Sequence, residues 1–234
     1  MNQTVSEDIG LFFNAAFSID LVLFTYHEGR IKVLLQKKEE SGASQEMALI
    51  GQLIQPSEDT KQSLNRLAES RLGRSDFYRK QLRAFTELGR HPMGRVVTVA
   101  YYGLVTYDTI ATDERLEWHD IYKAPPLSYD HDKILKVAIH RFKKGLLRHA
   151  TVFEMLPKEF ILKEVLDIYE VAFQEKLDAP NFRRQLMTSG LIKPVGELRA
   201  MKGQMGRRPQ VYIFEKDKYS QKKKKINIGF HPIA

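Results

Sequence analysis

The amino-acid sequence predicts an α+β protein with an N-terminal mixed-sheet sandwich of the α/β/α type and a smaller, mainly helical C-terminal domain. Three observations support this fold class. Strand-like runs alternate with amphipathic segments up to about residue 150, closely spaced helical patterns follow, and almost all the excess of positive over negative charge lies in the last third of the chain. We therefore expect two domains, at residues 1–152 and 153–234.

The composition is that of an ordinary globular protein, with 43% hydrophobic and 28% charged residues among 234. The absence of Cys excludes a disulfide scaffold, a thiol nucleophile and a Cys-ligated metal. No His pair has the spacing of a zinc motif, so we expect neither a metal nor another cofactor. No apolar run approaches the roughly 18 residues of a membrane helix, and the first residues do not resemble an export signal. These features predict a cytoplasmic protein with no membrane partner.

Six β-strands are predicted in the first domain. The first two, residues 17–26 and 31–36, are apolar or β-branched runs separated by His27-Glu28-Gly29-Arg30, a hairpin signal. The remaining strands are expected at residues 47–54, 81–87, 95–106 and 118–122.

Two helices complete the first domain. Residues 59–72 carry small or apolar side chains at the spacing of one helical face, and Gly73 provides a stop. After the Pro125-Pro126 turn, residues 131–148 form a second amphipathic pattern. Asp130 and His131 are expected to cap this helix and form its first turn, with a ligand or pH-sensing role as the alternative.

The second domain begins with a predicted helix at residues 160–173, in which Ile161, Val165 and Ile168 share one face. Another helix is expected from Asp178 to about Ser189, with Phe182, Leu186 and, less firmly, Met187 inward. Short strands at residues 191–194 and 210–214 then bracket a basic, glycine-containing loop. This order of helix, turn, helix and hairpin with a basic tip is typical of a winged helix-turn-helix domain.

The distribution of charge favours DNA as the partner of this domain. The whole chain has a formal net charge of +8. Residues 179–234 alone carry 13 basic and 3 acidic side chains, so the rest of the chain has no excess of positive charge. Exposed side chains of the second helix would enter the major groove and the loop would contact the backbone or the minor groove. The candidate DNA-binding residues are Asn181, Arg183, Arg184, Lys202, Arg207 and Arg208. The alternative is a solvated charged face with a lysine-rich tail.

The segment from Gly51 to Arg74 resembles the Nudix box, G-x5-E-x7-R-E-U-x-E-E-x-G-U. Glu58, Arg66 and Gly73 match the first Glu, the Arg and the late Gly of the pattern, Ala68 stands at the aliphatic position, and Gln52 replaces the first Gly. The resemblance implies a Nudix-like fold for the first domain.

Three departures from the box concern its chemistry. Leu67, Ser70 and Arg71 occupy the positions that hold carboxylates in active Nudix enzymes, where those groups bind Mg²⁺. Glu69 is retained but stands one residue out of register, about 100° around the helix. We therefore expect no catalytic residues and no hydrolysis of a nucleoside diphosphate.

A degenerate Nudix-like domain followed by a winged helix is similar to the Nudix-related transcriptional regulators, which include repressors of NAD biosynthesis and arabinose-type sugar regulators. The resemblance covers nearly the whole chain. It rests on VLFTYHEGRIKVLL, GRVVTVAYYGL, Tyr129-Asp130-His131, NFRRQL and GRRPQVYIF, taken in that order. It implies a homodimer whose N-terminal domains bind a small sugar, sugar phosphate or ADP-ribose-like effector, and whose winged helices bind a palindromic operator.

The resemblance also suggests where the effector binds, because the pocket of Nudix-like folds lies beside the box helix and the central strands. The candidates are Gln52, Glu58, Arg66 and Arg95. Each has a structural alternative: Glu58 could favour the helix N-terminus, Arg66 could pair with Glu58 or Glu69, and Arg95 could be a surface residue of an edge strand.

Two other functions stay open from the sequence. One is a Nudix pyrophosphohydrolase with an atypical metal site, whose basic tail recruits a polyanionic substrate. The other is a constitutive DNA-binding protein whose Nudix-like domain only pairs the subunits. The leading hypothesis is an effector-responsive transcriptional repressor.

Overall fold

The computed structural model describes residues 14–38, 46–110, 114–197 and 209–222. The described residues fall into two compact units. The first is drawn from Met1–Leu23, Val33–Gly103 and Ile110–Ile139, and the second from Phe24–Lys32, Leu104–Thr109 and His140–Ala234. The units are discontinuous in sequence, so the domain limits at residues 152 and 153 stay a prediction.

A seven-stranded sheet dominates the N-terminal part of the chain. Its strands are β1 (Ala16–His27), β2 (Arg30–Lys37), β3 (Met47–Ala48), β4 (Ile50–Leu53), β5 (Tyr78–Phe85), β6 (Val96–Leu104) and β7 (Leu116–Asp120). The order along the sheet is β3-β2-β1-β6-β5, with β4 paired to β1 and β7 to β2. Each strand predicted in this region is found, although β5 begins three residues earlier than expected.

The β1–β2 hairpin turns on Glu28 and Gly29, whose φ angles are 51° and 71°. Positive φ at both central residues of a two-residue loop is the type I′ geometry, whose twist matches that of the flanking strands. Ile19 and the stretch Leu21–Phe24 of β1 are fully buried. This strand is therefore central to the hydrophobic core.

The predicted strand at residues 47–54 is interrupted. It divides into β3 and β4 at Leu49, whose backbone N–H donates to His131 Nδ1 over 2.9 Å instead of to a neighbouring strand. The sequence could not show this interruption, because the acceptor lies 82 residues away in the chain.

Helix α1 (Thr60–Leu72) confirms the first predicted helix. Asp59 and Gln62 form a reciprocal capping box with bonds of 2.7 and 2.8 Å, and Gly73 ends the helix in the left-handed region at φ 71°. Its buried side chains, Ser63, Leu64, Leu67, Ala68 and Leu72, form the face expected from their spacing.

Helix α2 (His131–Arg148) coincides with the second predicted helix. As expected, Asp130 stands at its cap and His131 in its first turn. The Asp130 carbonyl accepts from Ile134 N–H over 3.3 Å, while the Asp130 carboxylate is bound by Arg90. The helix buries Ile134, Ala138, Phe142 and Leu146 along one face.

The second unit contains α3 (Leu162–Phe173) and α4 (Ala179–Thr188). The helix expected at residues 160–173 begins two residues later, because Phe160 and Ile161 belong to strand β8 (Glu159–Ile161). In α4, Phe182 and Leu186 are buried as predicted, whereas Met187 is 43% exposed, so its inward placement is wrong.

A three-stranded sheet accompanies these helices, in the order β8-β10-β9, where β9 is Ile192–Glu197 and β10 is Gln210–Phe214. β9 is an edge strand, which is why it accommodates Pro194 opposite Tyr212. A short helix, α5 (Lys216–Lys222), follows β10, and its Tyr219 hydroxyl accepts from Ala150 N–H over 3.3 Å. Within the described ranges, none of the helices is both long and apolar enough to span a bilayer.

Candidate functional site

The first unit contains a cavity of about 230 Å³. Strands β1, β2, β4 and β6, the loop after β5 and the start of α2 all contribute to its walls. Its polar lining residues are Ser18, Asp20, Gln36, Lys38, Gln52, Arg90, His91, Thr98, Tyr129 and His131. A concave site into which polar groups converge is a usual form of a small-molecule pocket.

The inner wall of the cavity contains the buried side chain of Arg90, which connects several of its polar residues. Its side chain is only 3% exposed, and it binds both oxygens of Asp130, with Nε to Oδ2 at 3.0 Å and Nη2 to Oδ1 at 2.7 Å. The remaining nitrogen, Nη1, donates to Thr98 Oγ1 over 2.9 Å. This bidentate pairing holds the loop after β5 against the N-terminus of α2.

Asp20 belongs to the same inner wall, and one of its carboxylate oxygens, Oδ2, lacks a hydrogen bond within the described part of the chain. The residue is 5% exposed, and Oδ2 has no hydrogen-bond partner among the described residues. Arg90 Nη2 lies 3.7 Å from it. Burial raises the pKa of Asp20 to about 6, although a hydrogen bond with Thr98 and the charge of Arg90 oppose the rise.

Gly51 leaves room for this carboxylate. A Cβ at position 51 would lie 2.3 Å from Asp20 Oδ1 and 3.0 Å from the Ile19 carbonyl oxygen. The pairing of Asp20 with Gly51 across β1 and β4 therefore requires the glycine for its lack of a side chain.

His131 completes the inner wall with its Nε2 atom 3.8 Å from Asp20 Oδ2. Burial lowers the pKa of His131 to about 4, and the charge of Arg90 adds to the effect. The imidazole is therefore neutral near pH 7. Because Nδ1 accepts the Leu49 N–H, the proton resides on Nε2, which makes Nε2 a donor toward the cavity.

Tyr129, His91 and Lys38 form the outer part of the cavity. The rings of Tyr129 and His91 are stacked with centroids 4.7 Å apart, and Lys38 Nζ lies 4.5 Å from the centre of the Tyr129 ring. Tyr129 has φ 61°, an uncommon conformation for a residue other than glycine, and is 40% exposed. Burial and the charges of Arg90 and Lys38 lower the pKa of His91.

Three of the four predicted effector residues come together beside the cavity. Arg66 donates to Glu58 from Nε over 2.5 Å and from Nη2 over 2.9 Å, and to Gln52 Oε1 over 2.8 Å. Gln52 Nε2 in turn donates to the Ser63 carbonyl over 2.8 Å. The ion pair lowers the pKa of Glu58 and raises that of Arg66. Of these residues only Gln52 lines the cavity.

Arg95, the fourth candidate, is placed elsewhere. It is exposed before β6, and its Nη1 donates to the carbonyls of Thr86 and Glu87 over 2.6 and 3.3 Å. It does not line the cavity, which agrees with the alternative of a surface residue.

The residues of α1 do not fit the magnesium site that a Nudix fold implies. Leu67 is fully buried in the core, Ser70 donates its hydroxyl to the Leu67 carbonyl, and Arg71 is cationic. Glu58 is neutralised by Arg66, and Glu69 accepts from Ser75 over 2.5 Å. None of the described residues form a cluster of three acidic, His or Cys side chains able to hold a metal ion.

The predicted base-reading residues are placed on the exposed side of α4. Arg183 and Arg184 are exposed, whereas Phe182 between the two helices packs against Tyr169 with ring centroids 5.4 Å apart. Arg184 Nη2 donates to Asn181 Oδ1 over 2.8 Å, and the Asp178 carboxylate caps the helix at Asn181 N–H. Lys202, Arg207 and Arg208 lie outside the described residues.

Comparison with known proteins agrees with both units. Residues 152–214 match the NrtR DNA-binding winged helix domain. Over 213 residues the chain is 26% identical to the ADPR responsive transcriptional repressor NtrR of Acinetobacter baylyi, covering 86% of this chain and 83% of that protein. The chain is a transcriptional regulator that is similar to these repressors over most of its length.

Solved structures extend this relationship to the whole fold. The regulator superimposes with a TM-score of 0.75 on Shewanella oneidensis NrtR complexed with a 27mer DNA, at 25% identity, covering 89% of this chain and 96% of that chain. The NUDIX domain of the same protein, complexed with ADP ribose, matches with a TM-score of 0.51 and 24% identity, covering 61% and 99%. These matches confirm the predicted fold class, a Nudix-like sandwich with a C-terminal winged helix.

Several residues of the regulator's cavity were not predicted as effector residues. Asp20, Lys38, Arg90, His91 and Tyr129 lie outside the Nudix box, on which the prediction was based. Asp20 carried a signal, because it is a lone carboxylate within the apolar run FSIDLVLF. The other four lie in or beside loops, and their convergence depends on tertiary structure.

Proposed function

We propose that the regulator is a cytoplasmic repressor that binds a palindromic operator as a homodimer and releases it when an ADP-ribose-like effector enters the cavity of the first unit. The observation that carries the proposal is the buried Asp20, Arg90, Asp130 and His131 network, which gives a non-catalytic Nudix-like unit a polar pocket. The likeness to a repressor described as ADPR responsive supports the choice of effector.

The chemistry of the cavity suits each part of such an effector. A sugar hydroxyl matches the acceptor Asp20 and the donor His131. The ammonium of Lys38 suits a phosphate, and the stacked rings of Tyr129 and His91 offer an aromatic surface to a base. A sugar or a sugar phosphate would use part of the same set, and both therefore belong in the experiment below.

The DNA-binding surface is proposed on α4 and on the loop between β9 and β10. Arg183 and Arg184 are oriented outward because Phe182 and Leu186 hold the opposite face of the helix in the core. A guanidinium can donate two hydrogen bonds to a guanine edge, so these residues read sequence, with Asn181 as a further contact. Lys202, Arg207 and Arg208 of the loop would contact phosphates or the minor groove.

Control by an effector requires two states of different affinity. An effector that binds the DNA-free arrangement more tightly weakens operator binding. The loss of binding free energy is at most the difference between the effector's binding free energies for the two states, and operator DNA weakens effector binding by the same amount. A homodimer with two winged helices matches an operator with two-fold symmetry.

We further propose that the Nudix-like unit is catalytically inactive. The side chains at the three carboxylate positions are an aliphatic group, a hydroxyl and a guanidinium, so none of them supplies an anionic oxygen ligand for Mg²⁺. The ion pair of Glu58 with Arg66 instead ties the loop before α1 to the helix. The box thus retains the ion pair between Glu58 and Arg66 but lacks the carboxylates that bind the metal.

The proposal is tested by a thermal-shift screen of the full chain against ADP-ribose, NAD-pathway metabolites, sugars and sugar phosphates, followed by selection of bound DNA sites with and without each hit. An effector raises the unfolding midpoint by mass action. We expect ADP-ribose to raise it and to reduce binding to the selected operator. Selective DNA binding with no response to any compound would support a constitutive DNA-binding protein instead.

A further inference from the structure

We propose that Asp20 and His131 form a recognition pair for a sugar hydroxyl, and that the terminal ribose of ADP-ribose, the one absent from ADP, occupies it. The inference rests on the proposed function, since it specifies which part of the effector lies against the inner wall of the cavity. Asp20 Oδ2 supplies the acceptor and His131 Nε2–H the donor.

Asp20 supplies an unused acceptor. Its carboxylate is 5% exposed, and Oδ2 has no hydrogen-bond partner among the described residues. An unpaired buried oxygen of a carboxylate costs free energy, which a donor brought by a ligand recovers. The nearest cation, Arg90, already directs its guanidinium to both Asp130 oxygens and to Thr98.

His131 supplies a donor of fixed orientation. Its Nδ1 is held by the backbone N–H of Leu49, so the ring cannot rotate without breaking a 2.9 Å hydrogen bond. The neutral ring therefore presents Nε2–H at 3.8 Å from Asp20 Oδ2. A donor and an acceptor at this separation are too far apart to satisfy each other and can be bridged by one group that both accepts and donates.

A hydroxyl is such a group, and a phosphate is not. One hydroxyl, or two neighbouring hydroxyls of a ribose, can donate to Asp20 and accept from His131 at the same time. An anionic phosphate beside the Asp20 carboxylate would be repelled, and Arg90 offers it no free charge because Asp130 neutralises the guanidinium. The anionic part of the effector is therefore directed outward to Lys38, whose ion pair with Glu46, at 3.4 Å, is partly exposed to solvent.

The arrangement of the remaining groups selects the terminal ribose. The aromatic pair Tyr129 and His91 lies in a partly exposed part of the cavity, whereas Asp20 and His131 are buried, at 5% and 6% exposed. A cavity of about 230 Å³ is small compared with typical ligand pockets of roughly 300–1,000 Å³, so the base is expected at the outer rings. In a molecule ordered base, ribose, diphosphate, ribose, the end opposite the base is the terminal ribose.

The test is calorimetric titration of the full chain with ADP-ribose and with ADP at pH 7.5, using the wild type, Asp20→Asn and Asp76→Asn. Asp76 is an exposed carboxylate paired with Arg74 outside the cavity, which makes it a matched control for loss of one charge. Thermal midpoints and DNA binding without ligand establish that each variant is folded.

We expect the wild type to bind ADP-ribose more tightly than ADP, and Asp20→Asn to lose at least about tenfold in affinity for ADP-ribose while its affinity for ADP changes little. Asp76→Asn should behave as the wild type. Equal losses for both ligands, or no loss for either, would overturn the assignment of the terminal ribose. A wild type that binds DNA but neither nucleotide would overturn the proposed function, and this assignment with it.

Discussion

Arg90 and Asp130 are joined by two hydrogen bonds, of 3.0 and 2.7 Å, in the interior of the Nudix-like unit. Their side chains are 3% and 7% exposed. The pair connects a loop after β5 with the residue before α2, which are 40 residues apart in the chain. It therefore fixes two segments of the cavity wall that the sheet alone does not hold.

We expect Asp130→Ala to lower the free energy of unfolding by about 3–5 kcal/mol, because it leaves the Arg90 charge buried without its main partner. Chemical denaturation of the full chain measures this loss. Asp76→Ala, which removes an exposed carboxylate, should cost less than about 1 kcal/mol. Equal losses of unfolding free energy for the two variants would show that the Arg90–Asp130 pair does not hold these two segments together.

The opposed pKa shifts of Asp20 and His131 predict an unusual pH dependence of stability. Asp20, raised from 3.8 to about 6, contributes stability below pH 3.8 that is lost as the pH rises through 6. His131, lowered from 6.5 to about 4, contributes stability above pH 6.5 that is lost as the pH falls toward 4. Between pH 4 and 6 the folded chain holds one proton on Asp20 and the unfolded chain holds one on His131. Because both states bind the same number of protons, the pH dependences of the two contributions nearly cancel.

Asp20→Asn removes one of these contributions. Relative to the wild type, its free energy of unfolding should fall by about 1.4 kcal/mol for each pH unit between 6 and 4. Urea denaturation at several pH values provides the measurement. Asp76→Asn should alter the slope far less, because Asp76 is exposed. Parallel pH profiles for wild type and Asp20→Asn would contradict the shifted pKa of Asp20.

Local patterns in the sequence were sufficient to predict most of the fold. The Asp59 cap, the Gly73 stop and the apolar face between them define α1 without reference to the rest of the chain. The same holds for the turn at Glu28 and Gly29 and for α4. The failures occurred where distant residues intervene: Leu49 leaves the sheet to bind His131, and Phe160 pairs with Tyr212 in β10 instead of extending α3.

The site was less predictable than the fold. The Nudix box predicted Gln52, Glu58 and Arg66, whose spacing is set by strand β4, one loop and helix α1, and of these only Gln52 lines the cavity. The sequence around Asp130 and His131 predicts mainly the start of a helix, since their partners Arg90 and Asp20 are 40 and 111 residues away in the numbering. A buried ion pair leaves no periodic signal in the sequence, so geometry was needed to find it.

Arg183→Ala is expected to change which operators are bound as well as how tightly. Loss of a guanidinium that contacts a guanine edge should cost roughly 1–3 kcal/mol at one base position and relax the preference there. Selected-site sequencing and binding titrations measure both effects. Lys163→Ala, an exposed cation on α3 that pairs with Asp167, serves as the control. Uniform weakening across all sequences by Arg183→Ala would remove this residue from base recognition.

ADP-ribose should not be hydrolysed by the full chain in the presence of Mg²⁺. Leu67, Ser70 and Arg71 provide no carboxylate to bind the metal, so release of AMP should equal the rate without protein. Chromatography of the nucleotides after prolonged incubation measures this. Mg²⁺-dependent turnover that Glu58→Gln abolishes would instead support a pyrophosphohydrolase with an atypical metal site.

The most direct test of the account is a titration of ADP-ribose into the complex of the full chain with its selected operator, at fixed salt and pH 7.5. Salt must be held constant because phosphate contacts make DNA affinity strongly dependent on it. We expect ADP-ribose to release the operator from the wild type and Asp20→Asn to require at least about tenfold more ADP-ribose for the same release. An operator complex that persists at saturating ADP-ribose would contradict this expectation.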